Sequence, residues 1–497
     1  MVLSNAICKA ISDKISQVRG TDLKAKSARA VMALGTGTAV EQGLKLVRNM
    51  ILARILATDQ FALMAIVMSV ATLFEAFTEV GIKHSVIQNK RGADFEYLNV
   101  AWWMQAIRGL GLYAIAFLAA PSISSFYDKP ELLRLLQVAF LAVLFRGLVS
   151  PRAYVLEKQY RFGLAVLLVQ GSAMLGAILA IVLAFVIQNV WALVIGFVSE
   201  IAMMCVLSYV FVPFLPGTTI DRECLRDLIK FARGMFGLPI LTVIAFHTDV
   251  VVLGKVVTDE ELGMYYLAMT FTQLPVFYFT RIISPVLLPA FSERQDDRNF
   301  LCRAVLKVAK ASATLSEPFV ALMACCASGI LFLIYGPKFV AVSIPFAILS
   351  LLIFARTQGS ILAATYVAIG KPHLHRRFVI LRAVIIVGLM YTVVIRFGLI
   401  GAAAVVVFGN FVALLMQVFW CQRIINLKFR AYMRCYSSGL LLALPVVAVF
   451  CLMWIFGFRS PLTILFTGIF VLIATFAVGI YISKSQKRST IQYPDTI

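Results

Sequence analysis

Apolar residues along this chain come in blocks of about 18 to 28, and a helix of about 20 residues crosses the hydrocarbon core of a bilayer. The blocks lie near residues 27–53, 60–83, 99–120, 132–151, 163–187, 190–212, 231–256, 262–288, 313–335, 339–369, 376–396, 399–424, 438–457 and 461–483. Lipid offers no partner to backbone N–H and C=O groups, so each block must satisfy its own as a helix. The pattern predicts an all-α polytopic membrane protein with about 14 transmembrane helices. Residues 1–26 break the pattern. They lack an apolar run, but Ile7, Ile11, Ile15 and Val18 recur at helical spacing, as expected of a cytoplasmic amphipathic segment on the membrane surface.

The polar gaps supply an orientation. Gaps that follow odd-numbered blocks hold at most one basic residue each: Arg54, Lys129, Lys255, Lys338, Arg396 and Arg459. Most of the rest of the 45 Lys and Arg lie in the termini and in the gaps after even blocks, which places both termini in the cytoplasm. This distribution accounts for the net charge of +21 without nucleic acid as a partner. With 61% hydrophobic and 14% charged residues, a soluble globular chain is excluded.

Enzyme chemistry finds little support. No gap has room for a catalytic domain, and neither Gly254-Lys255-Val256 nor Gly370-Lys371-Pro372 completes a phosphate-cradling loop. The nine cysteines have no metal-ligand spacing, so free thiols, no metal and no cofactor are expected.

An internal repeat organises the blocks. Ala53-Arg54-Ile55-Leu56, then Thr58-Asp59 and Phe61-Ala62, parallels Gly254-Lys255-Val256-Val257, then Thr258-Asp259 and Leu262-Gly263. Phe145-Arg146, Tyr154-Val155 and Arg161-Phe162 likewise parallel Ala355-Arg356, Tyr366-Val367 and Arg377-Phe378. The chain therefore divides into an N-lobe (27–212), a cytoplasmic linker (213–230), a C-lobe (231–424), and two accessory helices with a cytoplasmic tail (425–497). The two pseudo-symmetric lobes of six helices are related about the membrane normal.

Charges inside the blocks carry the functional reading. Glu41, Lys45 and Arg48 form one stripe on the first helix, and Glu75 and Glu79 share a face of the second. Arg108, Arg146, Glu200, Asp249, Arg281, Glu317, Arg356 and Arg382 follow. A charge at mid-bilayer costs at least about 2.5–3.5 kcal/mol, so the set points to a wet interior between the lobes. The competing reading is a set of buried structural ion pairs. Near the cytoplasmic ends, Glu79, Arg281, Glu317 and Arg382 favour pairing or snorkelling. Arg48, Arg146 and Arg356, nearer mid-span, favour the cavity. Glu41 and Asp249 either neutralise these arginines or carry a coupling proton. His247 lies about 200° around the helix from Asp249 and should not share its site.

Three stretches carry a family resemblance. Asn49-Met-Ile-Leu-Ala-Arg-Ile-Leu-Ala-Thr-Asp-Gln-Phe61, Asp249-Val-Val-Val-Leu-Gly254 with Leu262-Gly-Met-Tyr-Tyr-Leu-Ala268, and Pro289-Ala-Phe-Ser292 resemble Wzx-type polysaccharide flippases. These belong to the multidrug/oligosaccharidyl-lipid/polysaccharide exporter superfamily, and the nearest group is the colanic-acid or succinoglycan exporters. The resemblance implies alternating access around a cationic cavity in a bacterial inner membrane, with an undecaprenyl-diphosphate-linked oligosaccharide as cargo. It also implies proton or sodium coupling, and a polysaccharide polymerase and chain-length regulator as neighbours. Arg48, Lys45, Arg108, Arg146, Arg356, Gln42 and Asn49 are then the substrate-binding candidates, with Gln105, Gln170 and Gln273 facing sugar. Glu41, Glu75, Asp249 and Glu200 are the ion-coupling candidates. A peptidoglycan-precursor flippase, a drug antiporter of the same superfamily and a non-transporting scaffold stay open as alternatives.

Overall fold

A computed structural model describes residues 23–76, 81–159, 161–235 and 238–491. The amphipathic segment expected over 1–26 lies almost wholly outside the described residues, as does Glu79. The described residues fold as helices: α1 (Leu23–Ile55), α2 (Thr58–Ala76), α3 (Ile82–Gln88), α4 (Phe95–Phe126), α5 (Glu131–Ala139), α6 (Leu141–Gly147), α7 (Arg152–Lys158), α8 (Phe162–Ile187), α9 (Trp191–Phe211), α10 (Arg222–Met235), α11 (Leu238–Val256) and α12 (Asp259–Ser292). After these come α13 (Arg298–Cys325), α14 (Ala327–Tyr335), a 3₁₀ turn (Pro337–Val342), α15 (Ser343–Ala368), α16 (Pro372–Ile425), α17 (Phe429–Arg434), α18 (Ser437–Ile455) and α19 (Pro461–Ile491).

Eight of these helices are long and apolar enough to cross a membrane, or up to ten when each bent pair counts as one span. The expected fourteen is therefore not reached by length and apolarity among the described residues. One shortfall has a visible cause. Helix α16 runs 54 residues, about 80 Å if straight at 1.5 Å per residue, far more than one bilayer. It breaks at Gly398, where φ is 53° and ψ −136°. A Cβ on Gly401 would stand 2.8 Å from the Val393 carbonyl oxygen and 3.0 Å from the Phe397 Cβ. Residues eight apart on a straight helix are about 12 Å apart, so the chain turns back there. The two expected spans 376–396 and 399–424 are thus distinct, joined by a glycine whose backbone other residues avoid.

Two other spans are less regular than their hydropathy implies. The block 313–335 is cut between α13 and α14 by a bend of 75°, and the chain after 132–151 turns by 60° into α7. Helix α4 runs past the expected residue 120 to Phe126 and includes Pro121. Many large apolar side chains are exposed, among them Leu118, Val186, Leu441 and Phe470. A soluble domain rarely presents such faces. The protein is a multi-pass membrane protein, and these are faces for lipid.

By packing, the chain forms two units. Among the described residues the first comprises those within 30–271 and 382–405; the second comprises 23–29, 272–381 and 406–491. In the first unit α8 lies along α9 with small residues at the contact. A Cβ on Gly176 would stand 2.6 Å from the Glu200 Cβ, and one on Gly196 would stand 2.5 Å from the Ala180 Cβ. Close backbone approach of this kind gains dispersion where lipid supplies no hydrophobic drive. The linker is strapped to α4: Asn99 donates to the Thr219 carbonyl at 2.6 Å and accepts from the Gly217 N–H at 2.8 Å, while Trp103 donates to the Gly217 carbonyl at 2.8 Å.

The second unit has its core on one stripe of α13. Leu301, Val305, Ala309 and Ala313 recur every four residues and pack with Ile361, Leu362 and Tyr366 of α15, Val418 of α16, and Tyr432 and Tyr436. Glu317 is the next residue on that stripe. Its Oε2 is buried against Gly439 with no hydrogen-bond partner. That differs from the snorkelling or ion pairing expected of it, because its register points it at α18 rather than away from the packed helices.

Candidate functional site

Within the first unit a pair of glycines sets two arginines side by side. A Cβ on Gly109 would lie 3.0 Å from the Gly147 Cα, and one on Gly147 would lie 2.7 Å from the Gln105 carbonyl oxygen. Helices α4 and α6 therefore meet backbone to backbone, and Arg108 and Arg146, each one residue before its glycine, are brought to the same seam. The partly exposed Arg146 Nη1 donates to the Glu75 Oε2 of α2 at 3.0 Å. Both arginine charges act on the Tyr154 hydroxyl, which donates to the Gln105 Oε1 at 3.4 Å. Gln105 is itself buried.

The end of α6 is fixed from α9, which holds this geometry in place. The Ser150 N–H donates to the Ser208 hydroxyl at 3.0 Å, and the Tyr209 hydroxyl donates to the Leu148 carbonyl at 2.7 Å while accepting from Trp102 at 2.7 Å. Two guanidiniums, Glu75 and, near Tyr154, Glu157 share this cluster. Its donors are planar forks, which match the oxygens of a phosphate or diphosphate two at a time.

The other expected residues sit elsewhere. On α1, Lys45 pairs with Glu41 at 2.7 Å, one turn away. Arg48 lies against the Asn49 Oδ1 at 3.3 Å, and its charge reaches Tyr266. Gln42 is half-buried on the same helix. Asp249 is buried in the seam between α11 and α12, where its carboxylate accepts from the Tyr265 hydroxyl at 3.0 Å and from the Val250 N–H at 2.9 Å. His247 instead meets the Ser69 hydroxyl at 3.0 Å, on the other side of α11, as its angular position implied. Glu200 lies where α9 crosses Gly176 of α8. In the second unit the buried Arg356 donates to the Gln273 Oε1.

The structure thus brings Arg108, Arg146 and Glu75 together with Gln105. The α1 stripe, Asp249 and Glu200 have the partners given above within the first unit, and Arg356 has Gln273 within the second. Tyr154 and Tyr265 are polar partners that hydropathy could not flag, because a tyrosine in an apolar run reads as core.

The family described as polysaccharide biosynthesis protein matches residues 51–344, a stretch that contains Glu75, Arg108, Arg146, Glu200 and Asp249. The chain belongs to that family. It is 22% identical over 397 residues to an uncharacterized membrane protein in the cps region of Klebsiella pneumoniae, covering 79% of each chain. It is 24% identical to the succinoglycan biosynthesis transport protein ExoT of Rhizobium meliloti, covering 56% of each. It is 21% identical to the lipopolysaccharide biosynthesis protein WzxC of Escherichia coli, covering 69% of this chain and 70% of that one. The fold is shared with a solved lipid II flippase MurJ in an inward closed conformation, at a TM-score of 0.75 and 15% identity, over 93% of this chain and 100% of that one. An inward-facing multidrug resistance MATE family transporter of the MOP superfamily also shares it, at a TM-score of 0.61 and 16% identity, over 85% and 98%. This polysaccharide biosynthesis protein therefore has the fold of the exporter superfamily that its sequence resembles.

Proposed function

We propose that the chain is a flippase that moves an undecaprenyl-diphosphate-linked oligosaccharide from the inner to the outer leaflet of a bacterial inner membrane, for exopolysaccharide or lipopolysaccharide synthesis. The observation that carries this reading is the seam that brings the guanidiniums of Arg108 and Arg146 to one place beside Tyr154. A diphosphate leaving water needs charge-assisted partners, and two adjacent guanidiniums supply them. Arg108 lies about 14 Å into the apolar block 99–120 and Arg146 about 8 Å before the end of the block 132–151, at about 1.5 Å per residue. The segment before α4 follows an even-numbered block and is therefore cytoplasmic in this reading, so the seam faces the side on which the cargo is made. Glu75 holds Arg146 when cargo is absent and competes with the diphosphate for it, which favours release after translocation. Gln42 is the candidate for the sugars, the buried Gln105 positions Tyr154 beside the arginines, and the polyprenyl tail stays in lipid.

The family match, and relatives named for polysaccharide biosynthesis and transport, support this cargo class. Alternating access is driven by a proton or sodium gradient through Glu41, Glu75, Glu200 or Asp249, and the chain works beside a polymerase and a chain-length regulator. A cation exporter is disfavoured by the arginines at the seam.

The test is binding of a short-chain polyprenyl diphosphate to the purified protein. A hydrogen bond to a charged group contributes about 1.5–3 kcal/mol, so Arg108→Ala and Arg146→Ala should each weaken binding about 10- to 150-fold. Unchanged affinity in both would overturn the assignment of the seam.

A further inference from the structure

The turn that ends α4 and the junction between α11 and α12 lie 127 to 130 residues apart in sequence, yet in the first unit they exchange charges in both directions. Lys255 pairs with Asp128, and Lys129 pairs with Asp259. The neighbouring side chains reinforce the contact. The Lys255 ammonium lies 5.7 Å from the centre of the Phe126 ring, and the buried Tyr127 hydroxyl donates to the Val251 carbonyl at 3.4 Å. Asp128 adopts φ 55°, a left-handed turn that Asp tolerates better than most residues. That turn sets the two charges of the Asp128-Lys129 dipeptide toward opposite partners.

The surfaces beneath are cut to fit. A Cβ on Gly254 would lie 2.9 Å from the Tyr127 ring and 3.2 Å from the Ile66 side chain, and one on Gly263 would overlap the Thr58 carbonyl. Thr58-Asp59 and Thr258-Asp259 are corresponding positions of the internal repeat, so the same turn from each copy meets at this end. All four charges lie in gaps after odd-numbered blocks or at their rims, the end that the distribution of basic residues makes external.

We propose that Asp128, Lys129, Lys255 and Asp259 form a reciprocal ionic clasp at the external end, which holds that end shut and must part each time it opens. The clasp rests on the transporter reading above for its purpose, but its opening can be read without cargo. Two partly exposed pairs are screened by salt and are individually weak, so the clasp closes the end without locking it. Its glycine contacts align it, and its charges set how often it parts.

The reporter is Thr58→Cys, a buried position under Gly263. It is labelled in whole cells with a membrane-impermeant maleimide, and the parent without Thr58→Cys serves as blank. Lys129→Glu sets like charges against Asp259 and should raise the labelling rate about tenfold or more, from the change of sign at contact distance. Adding Asp259→Lys should return the rate toward that of the parent. Raising salt should speed labelling of the native clasp but not of Lys129→Ala/Lys255→Ala, and this arm decides the matter if the charge-swapped protein is not monodisperse. Labelling indifferent to Lys129→Glu, or equal salt dependence in the neutralised variant, overturns the clasp. Correct labelling without any transport of lipid-linked sugar would leave the clasp standing and remove the cargo assignment instead.

Discussion

The contact between α8 and α9 yields a prediction in which one chemical change has opposite signs at two positions. Gly196 faces Ala180, and a Cβ there would lie 2.5 Å from the Ala180 Cβ, 3.1 Å from its Cα and 3.3 Å from the Gly176 carbonyl oxygen. Carbon atoms rest at about 3.5–4.0 Å, so Gly196→Ala must part the helices by about 1 Å at that point. Overpacking of this kind costs about 1–3 kcal/mol. Gly171 lies on α8 with nothing within 4 Å of its would-be Cβ. Gly171→Ala should stabilise by up to about 1 kcal/mol, because alanine restricts the unfolded chain and favours helix. The assay is thermal unfolding of the purified protein in detergent, followed by a thiol-reactive dye in a background with Cys302, Cys325 and Cys451 replaced by Ser, so that buried thiols such as Cys205 of α9 report unfolding. At about 2–4 °C per kcal/mol for a domain of roughly 200 residues, Gly196→Ala should lower the midpoint by several degrees and Gly171→Ala should hold or raise it. Equal midpoints for the two variants would refute the argument from helix approach.

Three further outcomes follow from individual contacts. Glu75→Gln removes the carboxylate 3.0 Å from Arg146, so affinity for a polyprenyl diphosphate should rise, by about fivefold if the lost competition is about 1 kcal/mol; calorimetric titration would read it. Gly398→Ala places a Cβ at φ 53° and ψ −136°, a region costing non-glycine residues about 1–3 kcal/mol, and should reduce the yield of monodisperse protein. Asp221 accepts from the Cys224 and Glu223 N–H groups at the start of α10, and these bonds, with Arg91 nearby, hold its carboxyl below the usual carboxylate range. Because the folded value is depressed, its contribution is complete above the ordinary carboxylate range and is lost as pH falls through the folded value; the protection of the Glu223 and Cys224 amides, measured as exchange relative to the intrinsic rate at the same pH, should fall on acidification, and Asp221→Asn should remove that dependence.

How much of this was legible in the sequence depended on the range of the forces involved. Hydropathy is a sum over neighbours in the chain, so it found the break between 396 and 399 that the structure realises at Gly398. It missed the 75° bend before Ala327 because Cys325, Cys326 and Ala327 are small and apolar, and a bend among such residues leaves the average unchanged. The charges were visible, but their pairing was not. Glu75 and Arg146 are 71 residues apart, and the faces that α4 and α6 turn together are set by the Gly109–Gly147 contact and by the bonds from α9. The expectation that Asp249 and His247 do not share a site needed only angular arithmetic on one helix. Glu317 shows the opposite limit: its distance along the span was readable, but its register against Gly439 was a property of two helices.

The measurement that bears most directly on the central claim is flipping itself. The purified chain would be reconstituted in liposomes carrying a fluorescent polyprenyl-diphosphate oligosaccharide, and the fraction of cargo open to an external sugar-modifying enzyme followed over time. The account predicts that this fraction rises with the amount of protein under a proton or sodium gradient and fails to rise with Arg108→Ala/Arg146→Ala. No rise under either gradient, or an equal rise with the double variant, would contradict it.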